Sequence, residues 1–281
     1  MFSRCRKYLL SVLLLAAALP AHTAGRVLRV CAEPNNLPFS NERREGFENR
    51  LAEMMANDLG ARLEYTWWAA RRGFVRNSLA AGRCDVIMGV PSTLGDVAAT
   101  RPYYRSTYVL VSRGARISSL LDPRLEKLRI GVQVVGEDYA PPAHILGQRG
   151  LARNVVGYSL VGPYGEANPA ARIVDAVARG EVDVAIVWGP FAGYFAKRES
   201  VPLQIAAVTP AVYQSVPFTY GISMAVRKDD LGLREELNRA IEKERAAIHA
   251  LLTEFGVPLV EAEGGEQACV SLPRPASRFW R

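Results

Sequence analysis

Apolar and polar residues alternate along the chain in blocks that predict strands and helices in turn. Short apolar runs, typical of buried strands, lie at 27–32, 62–67, 85–90, 108–112, 128–134, 154–160, 182–187, 203–208 and 220–226. Between them, stretches with helical periodicity lie at 46–59, 74–81, 142–149, 169–179, 191–197 and 233–255. This alternation predicts an α/β protein built on parallel or mixed sheets with flanking helices.

The pattern occurs twice. The segment AAGRCDVIMGVP in the first half corresponds to VARGEVDVAIVWGP in the second: a helix end, a glycine, an aspartate, an apolar strand and a proline turn. We expect Asp85 and Asp183 to cap the starts of their strands without a chemical role. Two such units in tandem predict two lobes with a cleft between them rather than one continuous sheet. Ligands of open α/β sheets bind at the carboxyl ends of the strands, near Val90, Pro91 and Ser92.

The N-terminal segment 1–24 has the order of an export signal: a basic start, the apolar run 8–19, and the small-residue exit Pro-Ala-His-Thr-Ala. Cleavage after Ala21 or after Ala24 fits this pattern. The C-terminal segment 262–281, with two adjacent glycines and two prolines, lacks periodicity and is predicted to be a flexible tail. These features predict a periplasmic protein without a membrane-inserted segment after signal cleavage.

Charge and composition narrow the function classes. The net charge of +7 falls to +4 once the three basic residues of the signal segment are removed. The remaining basic residues are scattered, whereas nucleic-acid binders usually concentrate them in a stripe. We therefore expect no binding of nucleic acid. We also expect the protein to be a monomer.

The cysteines and histidines bear on disulfides, metals and catalysis. Export permits disulfides, and a 2-1-3 strand order makes Cys31–Cys84 a possible pair, although the end of one parallel strand lies beyond the start of the next. Cys269 leaves the count odd. His144 and His249 are too few for a zinc site, and no hydrolase or phosphate-loop motif occurs. We expect no metal, no cofactor and no enzymatic activity; a lyase of a related fold is the enzymatic alternative.

Several segments together resemble the periplasmic solute-binding proteins that serve ABC importers for polar amino acids. These segments are LRVCAEPNNLPFS, GFENRLAEMMANDLG, FVRNSLAAGRCDVIMGV, RPYY, LRIGVQ, GEVDVAIV and ISMAVRKDD. The resemblance implies the two-lobed type II fold with two hinge strands. Its first lobe is expected at 25–112 and 216–261, and its second lobe at 113–215.

The groups that hold an amino acid in that family are missing from the corresponding positions. Residues 92–95 are Ser-Thr-Leu-Gly, without the arginine that pairs with the α-carboxylate. The turn of the second lobe is Val-Val-Gly at 134–136, and Trp-Gly-Pro at 188–190 replaces the acid that takes the ammonium. A buried zwitterion would leave both charges unpaired. Free amino acids are therefore not the expected ligand.

The segments PNNLPFSN, EYTWW, RRGFVRNSL, GRCDVIMGVP and TRPYYRSTYV closely resemble the J proteins of methanol-oxidation clusters (MxaJ/XoxJ type). That resemblance implies a periplasmic accessory protein that helps to mature or activate a PQQ-dependent methanol dehydrogenase, of the calcium or the lanthanide type. An apolar cleft would suit a protein surface, a peptide segment or a small molecule. The alternative is the binding protein of an ABC importer for an unidentified solute.

The residues expected to line the cleft are Asn35, Asn36, Phe39, Trp67, Trp68, Arg71, Arg72, Pro91, Tyr103, Tyr104 and Trp188. Aromatic anchors carry much of the energy of protein interfaces. Each has a structural alternative: only one of two consecutive tryptophans on a strand can face the core, and one of the two tyrosines is expected in the core. The arginines fit an exposed helix start, Trp188 fits a core position of the second lobe, and the asparagines fit a turn.

Overall fold

The computed structural model describes residues 25–69, 71–135, 138–162 and 166–261, so the predicted signal segment and the predicted tail, with Cys269, lie outside the described residues. The strands are β1 (Val27–Ala32), β2 (Asn35–Asn36), β3 (Ser40–Asn41), β4 (Arg62–Trp67), β5 (Val86–Pro91), β6 (Ala98–Ala99), β7 (Tyr104–Ser112), β8 (Ile130–Val135), β9 (Asp138–Tyr139), β10 (Val155–Ser159), β11 (Val184–Trp188), β12 (Gln204–Ala207), β13 (Val212–Tyr213), β14 (Val216–Pro217) and β15 (Thr219–Val226). The α-helices are α1 (Phe47–Asp58), α2 (Phe74–Asn77), α3 (Pro141–Gln148), α4 (Arg172–Arg179), α5 (Gly189–Ala196), α6 (Leu231–Lys243) and α7 (Arg245–Glu254).

One mixed sheet runs through the molecule in the order β10-β8-β11-β7-β15-β5-β1-β4. Its two ends are parallel, β5-β1-β4 at one end and β10-β8-β11 at the other; we call them the first and the second lobe. The exact division of the chain between the lobes stays a prediction.

The two crossing strands correct the expectation of separate sheets. The first half of β7 pairs with β15, and its second half pairs with β11. Strand β15 in turn continues along β5. Strand β7 thus bonds to the second lobe and β15 to the first, and their pairing with each other keeps the hydrogen-bonded ladder continuous.

The internal repeat is visible as the same ion pair in each lobe. The Asp85 carboxylate accepts hydrogen bonds from the backbone N–H of Arg29 at 3.0 Å and from its guanidinium at 2.7 and 3.0 Å. Asp183 accepts the corresponding bonds from Arg129, at 2.8 Å from the backbone and 2.9 and 3.2 Å from the side chain. The guanidinium lowers the pKa of Asp183. The structural role predicted for both aspartates is confirmed.

Two helices differ from their prediction. The expected helix 233–255 is divided at Glu244 into α6 and α7, and the expected helix 74–81 is helical only over Phe74–Asn77. Helix α6 packs on β15 and α1, whereas α7 packs on α1. Both halves therefore pack on α1, and the break at Glu244 separates them from each other.

The possible disulfide is present. Cys31 and Cys84 are bonded, with their Cα atoms 5.5 Å apart. Strands β1 and β5 are neighbours, as the strand-order argument required. Cys84 lies in the turn before β5 and not within it, so the spacing of the extended strand does not hold it away from Cys31.

The hydrophobic core is continuous between the lobes. One cluster of buried side chains extends from Leu51 and Met55 of α1 through Val109 and Val111 of β7 to α4 and α5. Within the described residues, no helix is long and apolar enough to cross a membrane.

Candidate functional site

Phe39 lies where the two lobes meet. Its ring packs on Phe47 of α1, with centroids 5.1 Å apart, and on Phe191 of α5 in the second lobe at 5.0 Å. The loop of Phe39 lies directly on the start of α1, because the Phe39 carbonyl accepts the Glu48 N–H at 2.9 Å. A side chain at Gly46 would overlap that carbonyl. Glycine at this position therefore sets the place of Phe39.

Asn35 joins the lobes beside this ring pair. Its side-chain amide donates to the Glu166 carbonyl at 2.5 Å and accepts from the Asn168 N–H at 3.4 Å. Asn36 acts through its backbone, since its carbonyl accepts the Phe39 N–H at 2.8 Å. Asn35 thus makes a contact between lobes, and Asn36 has the turn role given as its alternative.

Helix α5 continues the contact between lobes on its other side. Tyr194 stacks on Phe255, with centroids 5.7 Å apart. A side chain at Gly193 would overlap the Gly256 carbonyl. The next segment of chain is fixed as well, because the Ser106 hydroxyl donates to the Pro258 carbonyl at 2.7 Å. We call the rings of Phe39, Phe47, Phe191, Tyr194 and Phe255 the aromatic seam.

Tyr103 and Tyr104 lie next to the aromatic seam, close to a carboxyl group that the sequence reasoning missed. The Tyr104 ring meets Phe47 edge to face at 6.1 Å and Tyr103 at 5.0 Å. Both tyrosine hydroxyl oxygens are buried and have no hydrogen-bond partner. Burial raises the pKa of both hydroxyls, and the nearby charge of Glu48 raises it further.

Glu48 lies in the first turn of α1 with its carboxyl group against Gly89 of β5, where any side chain would overlap it. Burial raises the pKa of this carboxyl to about 8. The residue keeps some accessible surface, and its carboxyl lies directly against the backbone of Gly89. The sequence did contain a signal: a glycine inside an apolar strand marks a close approach of another group.

Trp188 belongs to a second group of rings, at the crossing strands. It packs on Tyr108 of β7 at 5.3 Å and on Tyr220 of β15 at 5.9 Å. Its backbone N–H donates to the Gln133 side chain at 2.8 Å. Burial raises the pKa of Tyr108, and it raises that of Tyr220 to about 12. Trp188 therefore packs on both crossing strands, β7 and β15.

The other predicted site residues lie apart from both ring groups. Trp67 stacks on Tyr65 at 4.6 Å, on the edge strand β4. Trp68 packs on the opposite face, under the Arg83 guanidinium at 4.6 Å. Each tryptophan is half-buried against a different core cluster, so the expectation that only one of them faces the core is wrong. Arg71 and Arg72 are exposed in the turn before α2, and Pro91 ends β5 opposite Ile222.

At the positions where importer proteins of the family bind the charged groups of an amino acid, this protein has uncharged contacts. The Ser92 and Ser223 hydroxyls are hydrogen-bonded to each other at 2.7 Å. Gly189 lies so close to the Thr107 carbonyl that an added Cβ would be 2.7 Å from it. Gly136 lies outside the described residues. A surface hollow of about 530 Å³ lies elsewhere, at the start of β1, and its lining includes Arg29, Asp85 and Glu236.

These two joined lobes and their crossing strands define a binding protein of the periplasmic type. The family model of bacterial extracellular solute-binding proteins, family 3, matches residues 28–255, and the chain belongs to this family. Together with the relatives below, this membership makes the chain a non-catalytic binding protein. Among the described residues, no group of three or more His, Cys, Asp or Glu could hold a metal ion.

The relatives confirm the predicted similarity to the MxaJ/XoxJ type and thus to periplasmic binding proteins associated with methanol oxidation. The chain is 32% identical over 260 residues to Protein MoxJ of Methylorubrum extorquens, covering 87% of this chain and 85% of that protein. The crystal structure of MxaJ from Methlophaga aminisulfidivorans superposes with a TM-score of 0.74 at 30% identity, covering 83% of this chain and all of that one. The periplasmic binding protein XoxJ from Methylobacterium extorquens superposes with a TM-score of 0.69 at 36% identity, covering 84% of this chain and all of that one.

Proposed function

We propose that the protein is a periplasmic accessory factor that binds a PQQ-dependent methanol dehydrogenase and helps it to mature or become active. One observation carries this proposal: Phe39 of the first lobe packs on Phe191 of the second, while the positions that hold an amino acid in importer proteins have no charged side chain here. The similarity to MoxJ, MxaJ and XoxJ supports the same assignment.

The docking region that we propose is the rim of the aromatic seam. Phe39 and Asn35 combine an apolar ring with a polar amide at the junction of the lobes, and Phe39 is only partly buried. Interfaces use such aromatic anchors surrounded by polar groups. Separation of Phe39 from Phe191 would enlarge this apolar surface and leave both rings available to the dehydrogenase.

The experiment uses affinity-tagged mature protein and periplasm of methanol-grown cells. We expect the wild type to retain the dehydrogenase, and we expect Phe39→Ala to retain several-fold less, by analogy with the effect of removing an interface anchor. Tyr139→Ala is the matched control, because Tyr139 is an aromatic residue 49% exposed on the second lobe. Activity of the purified dehydrogenase, measured with increasing amounts of each variant, tests activation directly. Equal retention and equal activation by wild type and Phe39→Ala would reject the proposed docking region, and no retention by the wild type would reject the function.

The alternative, an importer's binding protein for an unidentified solute, is favoured by the family match over residues 28–255. A specific solute at a hundred times its Kd should stabilise the fold by about 2.7 kcal/mol. Mass spectrometry of small molecules released from the purified protein, followed by thermal unfolding with each candidate, separates this function from the accessory role.

A further inference from the structure

Glu48, Tyr103 and Tyr104 form a polar group inside an otherwise apolar region, and we call these three residues the acidic trio. Tyr104 is 6% exposed, and its hydroxyl, like that of Tyr103, has no hydrogen-bond partner. A buried polar group without a partner costs free energy. Two such hydroxyls, beside a carboxyl group whose pKa burial raises, indicate a place where a polar ligand group would gain hydrogen bonds.

Among the described residues, none forms an ion pair with the Glu48 carboxyl. Burial is the cause that raises the pKa of Glu48. The charged group that affects Tyr103 and Tyr104 is Glu48 itself. Once ionised, the Glu48 carboxyl would repel an anion and attract a cation.

The surroundings fit an organic cation better than a metal ion. The trio offers oxygen atoms from one carboxyl and two hydroxyl groups, fewer than calcium usually takes. An ammonium group has three N–H donors, one for the carboxylate and one for each tyrosine oxygen. The Phe47 ring packs directly on Tyr104, and aromatic faces attract ammonium ions.

We propose that the acidic trio is a binding site for an alkylammonium group, with Glu48 as its counter-charge and the rings of Phe39 and Phe47 along its alkyl chain. This site is distinct from the amino-acid-binding site of the family, whose charged groups correspond to residues 92–95 and 188–190 here. It does not depend on association with a dehydrogenase. The alkylammonium group is a free small amine or the side chain of a lysine from a partner.

Entry to the site lies at the contact between the lobes. Phe47 covers Tyr104, and Phe39 covers Phe47. Phe39 in turn meets Phe191 of the second lobe, beside the hydrogen bond from Asn35 to the Glu166 carbonyl. Separation of these contacts admits the ligand.

Isothermal titration of the mature protein with n-butylammonium chloride tests the proposal. We expect one saturable site in the wild type and a loss of about ten- to a hundredfold in affinity in Glu48→Gln, the usual effect of removing a charge-assisted hydrogen bond. Tyr104→Phe keeps the ring, and we expect it to weaken binding about three- to tenfold. The control Glu53→Gln changes an exposed acid on the same helix and should leave the affinity unchanged.

A proton measurement separates binding at Glu48 from binding elsewhere. At about pH 7 the carboxyl, with a pKa of about 8, is mostly protonated, and it must ionise to pair with an ammonium ion. Titrations in phosphate and in Tris, which differ in ionisation enthalpy, should show the release of close to one proton per ligand by the wild type. Glu48→Gln should release none.

Titrations with two further compounds identify the chemical class of the ligand and its source. The uncharged 1-butanol should bind at least about tenfold more weakly than n-butylammonium, because it lacks the charge. If Nα-acetyl-lysine amide binds about as tightly as n-butylammonium, the natural ligand is a lysine side chain. If n-butylammonium binds and Nα-acetyl-lysine amide does not, the natural ligand is a free amine. The proposal is overturned if the wild type binds no n-butylammonium, if Glu48→Gln binds it equally well, or if 1-butanol binds as tightly.

Discussion

Replacing Glu48 by glutamine should remove most of the dependence of stability on pH between about 5 and 8. The Glu48 carboxyl lies against Gly89 and has a pKa of about 8 in the native protein, compared with an ordinary value of 4.5. Glutamine has nearly the same shape and stays neutral at every pH. The substitution therefore changes the charge while it preserves the packing.

The direction follows from proton binding. Between pH 4.5 and about 8, the native protein keeps a proton on Glu48 that the unfolded chain has released. Stability therefore falls as the pH rises through this interval, because ionisation is easier in the unfolded chain. Below the interval both states are protonated, so the carboxyl costs little. Above it both are ionised, and the full cost of the buried charge is present.

The magnitude has an upper limit of about 5 kcal/mol, from a pKa difference of about 3.5 at about 1.36 kcal/mol per pKa unit. Glu48 keeps some accessible surface, and contact with water reduces the cost, so we expect about 2–4 kcal/mol. Glu48→Gln should thus be more stable than the wild type by this amount at about pH 9, with little difference at about pH 5.

Urea unfolding, followed by circular dichroism at several pH values, measures the difference between the two proteins. Subtraction of the two curves removes the other titrating groups, which both proteins share. Glu53→Gln serves as the control for loss of one negative charge from α1 and should follow the wild type. A constant difference between Glu48→Gln and wild type from pH 5 to pH 9 would refute the reasoning, as would equal behaviour of the two glutamine variants.

Two further predictions concern the framework that holds the site. The disulfide closes a separation of 53 residues, so the Cys31→Ser, Cys84→Ser double variant should lose about 4 kcal/mol of unfolding free energy, measured in urea; an unchanged midpoint would contradict this. Gly193→Ala should destabilise by about 1–3 kcal/mol, because the new methyl group overlaps the Gly256 carbonyl between the lobes. Gly147→Ala, in α3 with open space around it, should be neutral or stabilising by about 0.5–1 kcal/mol; equal melting temperatures of the two alanine variants would argue against a tightly packed contact.

The periodicity of the chain determined much of the framework. Apolar runs and glycine stops predicted the parallel strands of both lobes, because burial on both faces requires nearly continuous apolar sequence. The repeated Gly-x-x-Asp pattern predicted the equivalent roles of Asp85 and Asp183. Alternation along a strand was sufficient to separate Trp67 from Trp68. These features depend on residues close together in sequence or on one repeated unit.

Contacts between distant segments were decided by the tertiary structure. Trp188 meets Tyr108 and Tyr220 only because two crossing strands lie side by side. Phe39 meets Phe191 across 152 residues of chain, and no local pattern specifies that pairing. The sequence therefore predicted aromatic residues near the cleft without showing which of them meet.

The acidic trio illustrates the same limit most clearly. In the sequence, Glu48 is one polar residue at the start of an amphipathic helix, where an acid is ordinarily favourable and exposed. Its burial results from the packing of α1 on β5 and from the absence of a side chain at Gly89. The sequence alone determined the main strands of the sheet, the positions of most helices and the lack of charged groups for an amino acid. Only the folded chain decided that an unpaired carboxyl lies beside two unpartnered hydroxyls, because burial is a property of the surroundings and not of the residue.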